Sequence, residues 1–366
     1  MAKLFDTFSL KGITLRNRIA VSPMCQYMAT DGVVSDWHLP HYAGLARGGA
    51  GLVVLEATAV SKEGRITPGD LGIWNDAQAE ALRPIVEAIK SAGSTPGIQI
   101  AHAGRKASAN LPWEGDDHIA DGDPRGWPTI APSAIAFGGD LGKVPAEMTK
   151  DDIIRVQQDF VAAAERARDA GFEWLMLHFA HGYLAQSFFS VHSNQRQDEY
   201  GGSPENRGRF LIETLAAVRK VWPENLPLTA RFGVIEFDGR DEETLRESIA
   251  LIRRFKEAGL DAIDVSIGFS TPAAQIPWGA AFLAEIAARV HVETDLPAST
   301  SWFISDPVQA DALIQDGKTD LVMLARPLLA DPHWPYAAAK ALGVENPAWA
   351  TLPPPYAHWL ARYRTN

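Results

Sequence analysis

The sequence predicts a closed (β/α)8 barrel, and three observations carry that prediction. Eight short apolar runs alternate with longer segments of helical period along 366 residues. Eight β-then-α units in a chain of that length fit a closed barrel better than an open doubly wound sheet. Several runs are apolar on successive residues, as parallel strands buried on both faces require.

The strand-like runs are residues 18–23 (RIAVSP), 51–56 (GLVVLE), 96–102 (PGIQIAH), 173–178 (EWLMLH), 227–232 (PLTARF), 261–267 (DAIDVSI), 296–300 (LPAST) and 320–324 (DLVML). Amphipathic segments between them include 151–170, 205–221, 241–258 and 307–316. Gly171, Gly259 and Gly317 stand where a helix ends in a left-handed residue. Thr149 ahead of Asp151 and Asp152, and Asp241 ahead of Glu242 and Glu243, read as acidic first turns. The cluster Gly48-Gly49-Ala50-Gly51 precedes a strand, so it reads as a tight helix-to-strand turn. A dinucleotide fingerprint would follow a strand and open a helix.

Two features depart from a plain barrel. Residues 8–15, around Lys11-Gly12, read as an N-terminal hairpin covering the barrel floor. Residues 103–148 hold Pro112, Pro124, Pro128, Pro132 and Pro145 and far exceed an ordinary connection. Because this excursion follows the third strand, it belongs to the face where barrel active sites are built, and reads as a lid or subdomain over the pocket, the alternative being a purely structural excursion. Residues 344–366 form a C-terminal tail, and residues 1–366 read as one domain.

Hydrophobic residues make up 46% and charged residues 22%, which excludes a disordered or fibrous chain. The net charge of −11 disfavours nucleic acid and anionic membrane surfaces as partners. No apolar run is long enough to span a bilayer, and Lys3, Lys11, Arg16 and Arg18 interrupt any secretory signal. A single cysteine, Cys25, fits a reducing cytosol, so a cytoplasmic location is expected.

Chemistry in such a barrel sits just past the C-terminal ends of the strands. Those positions hold residues 24–27, 57–58, 99–105, 178–183, Arg231, 266–269, 301–302 and 325–326. Glu56 is the one obvious acid there, which argues against a glycosidase's facing carboxylates. The densest cluster is His178-Phe179-Ala180-His181-Gly182-Tyr183. It supports three readings: histidines satisfied by the backbone, metal ligands completed by His102, or two imidazoles holding an oxygen while Tyr183 delivers a proton. The metal reading, a barrel hydrolase, lacks further ligands, because Asp264 lies inside its strand. Cys25 is either a small buried hydrophobe or a group at the site, with no adjacent histidine to make it a nucleophile.

In this order the residues resemble the old yellow enzyme family of FMN-dependent ene-reductases over nearly the whole chain. Within the family they are most similar to the bacterial xenobiotic reductase branch. The matching segments are Leu15-Arg16-Asn17-Arg18 running into Ser22-Pro23-Met24-Cys25-Gln26-Tyr27, residues 99–105 (QIAHAGR), residues 178–184 and residues 193–203 (SNQRQDEYGGS). Residues 113–118 (WEGDDH) and 356–359 (YAHW) carry the branch resemblance.

The resemblance implies non-covalent FMN, with Pro23, Met24 and Ala57 against the ring and Cys25 at its reactive edge. It places Gln99 at the pyrimidine side and Arg231 near N1. Backbone groups at Phe303 and Ala325, with Arg326, would hold the single phosphate. His178 and His181 would bind the carbonyl oxygen of an α,β-unsaturated substrate, and Tyr183 would protonate its α-carbon after hydride transfer from flavin N5. Tyr27 would help hold the substrate and Trp302 would shape the pocket. Trp359 would reach into a neighbouring subunit's site, implying a homodimer or higher oligomer. NADPH is the expected hydride donor over NADH, in ping-pong fashion, with activated C=C bonds and also nitro compounds or nitrate esters as oxidants. No metal is implied, and one cysteine is too few for the iron–sulfur cluster of the related dienoyl-CoA reductases and amine dehydrogenases. A silent flavin-binding protein is disfavoured by the intact Tyr183 and histidines. Phe303 and Ala325 depart from the family, which has glycine at both positions, so added side chains would strain the phosphate cradle.

Overall fold

The structure is a computed structural model that describes residues 2–363. Met1 and the last three residues of the expected tail, 364–366, lie outside the described residues. An antiparallel hairpin, β1 (Phe8–Leu10) and β2 (Ile13–Leu15), leads into the barrel. The barrel strands are β3 (Ile19–Val21), β4 (Leu52–Ala59) and β5 (Thr95–Ala101), followed after the lid strands β6 (Ile130–Ala131) and β7 (Ala146–Glu147) by five more. These are β8 (Trp174–Phe179), β9 (Leu228–Ile235), β10 (Ala262–Ile267), β11 (Ala298–Thr300) and β12 (Leu321–Leu324). All eight pair in parallel, and β12 closes on β3. Every barrel strand is buried along its whole length, which is why several of the runs are apolar on successive residues.

Each of the eight strand runs read from the sequence becomes a barrel strand, with ends displaced by up to three residues. The largest extensions are at β9 and at β4, which continues past Glu56 through a register shift between Leu55 and Ala57. Glu56 looks like a strand end because it is an acid, yet its carboxyl is fully buried and hydrogen-bonded. The predicted helix over 205–221 is broken at Gly208 into Pro204–Arg207 and Arg209–Val221. A Cβ at Gly208 would come within 2.6 Å of a Leu251 methyl, so a larger residue there would have to displace that side chain.

The predicted helix ends are found. Thr149 caps Lys150–Asp169 in a reciprocal pair with Asp152, and Asp241, Glu242 and Glu243 form the first turn of Asp241–Glu257. Gly171, Gly259 and Gly317 adopt φ of 94°, 100° and 69°.

The hairpin does cover the floor. Phe8 and Leu15 pack in one apolar cluster with Leu52, Val54, Trp174, Met176, Leu321 and Met323. The lid folds back over the opposite end: Ala103, Ala107 and Ala109 cluster with Ile66, and Cys25, Trp127, Leu141 and Tyr183 pack against them. The barrel is therefore plugged with hydrocarbon below and roofed above, with a polar layer between. Among the described residues, no helix is long and apolar enough to cross a membrane. The tail docks through Ala348, Leu352, Ala357 and Leu360 against Tyr336.

The turn at 48–51 shows how tightly closure is specified. A Cβ on Gly48 would stand 1.7 Å from the Pro332 carbonyl oxygen, and Gly49 has φ of 115°. Gly48→Ala is expected to force that contact apart and to cost more than an ordinary surface change, about 2 kcal/mol or more. Urea unfolding of the variant checks this, and an unchanged midpoint would contradict the close approach.

Candidate active site

His178 and Tyr183 are delivered by the end of β8 and the turn after it, because the strand stops at Phe179 and Tyr183 caps the short helix Leu184–Phe189. The two imidazoles lie with ring centroids 4.9 Å apart, and the Tyr183 ring is 4.9 Å from His178. His178 Nδ1 accepts from the Ala180 N–H at 3.3 Å, which leaves Nε2 as its proton-bearing nitrogen. His181 is fixed from the other side. The Trp302 indole N–H donates to Ser266 Oγ at 3.3 Å, and that hydroxyl lies 2.8 Å from His181 Nε2. Trp302 can only donate, and His181 Nε2 is the one acceptor within reach of the Ser266 hydroxyl proton among the described residues, which puts the His181 proton on Nδ1. Both imidazoles are held well below their ordinary pKa by burial. For His178 the next causes are the Arg231 and Lys106 cations; for His181 they are His178, Arg231 and Lys106. The pair is neutral at physiological pH, and each ring keeps one N–H donor that no acceptor among the described residues takes. Burial raises the Tyr183 phenol well above 10, so it keeps its proton.

Lys106, at the root of the lid, was not singled out by sequence reasoning. Its ammonium donates to the carbonyls of His181 and Phe269, each at 2.8 Å, and sits 4.0 Å from the centroid of the Phe137 ring. It ties the His181 turn to the turn after β10. Burial and the neighbouring Arg105 guanidinium pull its pKa down to about 7. The Arg105-Lys106 pair in the lid's first turn was the available signal, but basic residues in a loop ordinarily read as solvated. Ser266 was visible only as one of several strand-end residues, since its role depends on where Trp302 and His181 point.

On the adjacent wall, Pro23, Met24, Cys25 and Tyr27 follow β3, and Ala57 lies on β4. Burial pushes the Cys25 thiol well above its usual pKa, with Asp70 and Glu56 adding to the shift. This thiol is protonated and is not an activated nucleophile. Tyr27 adopts φ of 55° and faces Trp113 of the lid, ring centroids 6.0 Å apart. Behind this loop Glu56 accepts from the Gln26 N–H and the Tyr42 hydroxyl, both at 2.8 Å, and burial pushes its pKa up to about 8. It anchors the loop from behind the site and is no catalytic acid at the pocket.

The residues expected to hold FMN can be tested against their own hydrogen bonding. The Gln99 carboxamide, 1% exposed, donates only to the Met176 thioether at 3.2 Å, a weak acceptor. Among the described residues, the N–H groups of Phe303, Ala325 and Arg326 donate to no protein acceptor. The Arg326 guanidinium is exposed and has no carboxylate partner among them either. Unspent amides beside a free guanidinium, at the ends of β11 and β12, suit a phosphate. The expected strain is found at one of the two substituted positions. Trp302 and Phe303 take φ of 76° and 54°, in the left-handed region. Ala325 takes φ of −113°, so no glycine-like φ is demanded there. The residues present fit the group.

Two expected residues do not join the cluster. His102 is buried at the end of β5 with Nδ1 accepting from the Gly104 N–H at 3.0 Å, and burial lowers its pKa to about 4. No group of three or more His, Cys, Asp or Glu side chains among the described residues is arranged to hold a metal, so the hydrolase reading loses its ligand set. Trp359 is 73% exposed on Pro354–Leu360, and its ring pairs with His358 and with none of the rings at the site.

A sequence model of the NADH:flavin oxidoreductase / NADH oxidase family matches residues 3–345. The chain is 43% identical over 342 residues to an NADPH dehydrogenase of Geobacillus sp. (strain WCH70), covering 93% of this chain and 94% of that one. To an NADPH dehydrogenase of Bacillus subtilis (strain 168) it is 39% identical over 348 residues, covering 94% and 97%. Among solved structures, morphinone reductase superposes with a TM-score of 0.77 at 26% identity, covering 93% of this chain and 90% of that one. An old yellow enzyme homologue from Zymomonas mobilis gives 0.77 at 25% identity, covering 99% of both.

Two outcomes follow from this geometry. Ser266→Ala removes the hydroxyl that selects the His181 tautomer, so 15N NMR of the imidazoles should show Nδ1–H in the parent and a mixture in the variant. An unchanged spectrum would remove Ser266 from the chain. Glu56 keeps its proton in the folded state up to about pH 8, whereas in the unfolded chain it ionises near 4.5. The folded state thus binds more protons between those values, and this group's contribution to stability falls as pH rises through that window. Glu56→Gln should flatten the decline in melting temperature between pH 5 and 8; an identical decline would contradict the assignment.

Proposed function

Because the chain belongs to the NADH:flavin oxidoreductase / NADH oxidase family, the old yellow enzyme family, we propose that it is an FMN-dependent, NADPH-consuming reductase of activated C=C bonds. The substrate class is α,β-unsaturated carbonyl compounds. One observation carries this reading: two neutral imidazoles 4.9 Å apart, with a protonated tyrosine 4.9 Å from one of them, under a lid at the carboxyl end of the barrel. An enone reduced at its β-carbon builds negative charge on the carbonyl oxygen and needs a proton at the α-carbon. The site offers donors for the first and an acid for the second.

When bound, FMN supplies two-electron hydride chemistry, with NADPH as the preferred reductant over NADH. Pro23, Met24, Cys25, Ala57, Gln99 and Arg231 would hold its ring system, and Phe303, Ala325 and Arg326 its phosphate. His178 Nε2–H and His181 Nδ1–H would hold the substrate oxygen and favour the enolate charge; one such preorganised donor is worth about 3 kcal/mol. Tyr183 would deliver its proton to the α-carbon, and its raised pKa keeps that proton available. Tyr27 and the lid would bound the pocket on one side, and Trp302 on the other. Cys25 would touch the flavin as a neutral thiol, tuning its potential without forming a bond.

The segment 113–118 supports placing the chain in the xenobiotic reductase A type, since Trp113 meets Tyr27 at the mouth of the pocket. The outward-facing Trp359 supports a homodimer in which each tail completes the other subunit's site. A single cysteine supports a cytoplasmic location. Nitro compounds and nitrate esters are further candidate oxidants, and nucleic acid and membranes are not proposed as partners.

The test is anaerobic stopped-flow absorbance. NADPH should bleach the visible flavin band, and 2-cyclohexenone should restore it. Tyr183→Phe should leave bleaching intact and slow the restoration by about 10²–10⁴-fold. Restoration at the parental rate would remove Tyr183 as the acid, and a protein that takes up no FMN would overturn the flavin reading.

A further inference from the structure

One buried ion pair inside the barrel has no part in holding substrate or moving a proton. Strand register places His178, Arg231, Asp264 and Ser299 side by side on β8, β9, β10 and β11. Arg231 Nε donates to Asp264 Oδ2, and the Ser299 hydroxyl donates to Asp264 Oδ1 at 2.8 Å. Arg231 Nη2 donates to the Ser22 hydroxyl at 2.8 Å, immediately before Pro23 and Met24. The side chains are 5% and 2% exposed. Nη1 is left without a protein acceptor among the described residues.

A carboxylate bonded directly to the guanidinium changes what Arg231 offers to the site. A lone buried cation acts at distance r as 1/r, whereas a contact ion pair acts as a dipole and fades faster. The pair also fixes direction: with Nε bonded to Asp264 and one Nη2 N–H to Ser22, the guanidinium fork is held in one orientation with both Nη1 N–H groups left over. Nothing in the fold requires an acid here. The same-face neighbours on β10, Ala262 and Ser266, carry no charge, and a carboxylate this deep is costly unless it is needed to compensate a charge.

We propose that Asp264 is a positioning residue that sets the reduction potential of the bound flavin by holding and partly neutralising Arg231. This rests on the FMN reading above. Transfer of a hydride from NADPH, which leaves as NADP⁺, adds one negative charge to the ring system at neutral pH. A bare guanidinium beside it would stabilise that charge and make the reduced flavin a poorer donor. The Asp264 carboxylate withdraws part of that stabilisation and keeps the reduced flavin reactive toward weak acceptors.

The experiment measures the midpoint potential of the FMN holoenzyme by equilibration with a reference dye, for the parent, Asp264→Asn and Asp264→Glu. Asp264→Asn should shift the two-electron equilibrium at least tenfold toward reduced flavin, about 30 mV upward. Asp264→Glu, which keeps the charge, should shift it less than threefold. A smaller or downward shift in Asp264→Asn overturns the role of Asp264, whatever happens to FMN affinity. If Asp264→Asn does not fold, the smaller Asp264→Ser variant decides by the same criterion. A parental protein that binds no FMN overturns the flavin reading itself, and is distinguished from failure of this proposal by the absence of any flavin spectrum.

Discussion

A polar layer enclosed between a hydrocarbon floor and a lid can exist only if nearly every donor in it finds an acceptor. That constraint governs the carboxyl end of this barrel. His178 spends Nδ1 on a backbone N–H, His181 spends Nε2 on Ser266, and Ser266 is committed by Trp302. Arg231 is spent on Asp264 and Ser22, and Lys106 on two carbonyls. What remains unspent is a small set of N–H groups: one on each imidazole, one side of Arg231, and the amides around Phe303 and Arg326. Those leftovers outline an elongated polar ligand with an anionic end.

Backbone strain falls in the same place. Tyr27, His181, Phe269, Trp302 and Phe303 all take positive φ on the loops that frame the pocket, at roughly 1 kcal/mol or more each for non-glycine residues. Closing eight parallel strands beneath them, with the floor packed by Phe8, Leu15, Trp174 and Met176, supplies the rigidity that holds such loops. Lys106 and Arg105 extend it upward by fastening the lid to the turns after β8 and β10.

Most of the fold was legible in the sequence because the barrel strands are buried on both faces and several write that burial as a continuous apolar run. The exceptions have physical causes. Glu56 masqueraded as a strand end because a buried, protonated carboxyl has the same letter as a solvated one. The break falls at Gly208, where the space for a side chain is taken by Leu251, forty-odd residues away. At the site, the histidines and Tyr183 could be read from their spacing. The partners that fix their protons could not, since Ser266, Trp302, Lys106 and Arg231 come from four other segments. His102 resembled a third ligand only in sequence; its ring is turned toward the Gly104 amide.

The central claim is that His178 and His181 act as neutral twin donors to one developing oxyanion. It is tested most directly by titrating the FMN-loaded protein with 4-nitrophenol below the pH at which that phenol ionises in water, and reading its absorbance. Twin donors should bind it as the yellow phenolate, and His178→Ala should weaken binding by about 10²-fold or more. Binding as the colourless phenol, or phenolate binding unchanged in His178→Ala, would contradict the account.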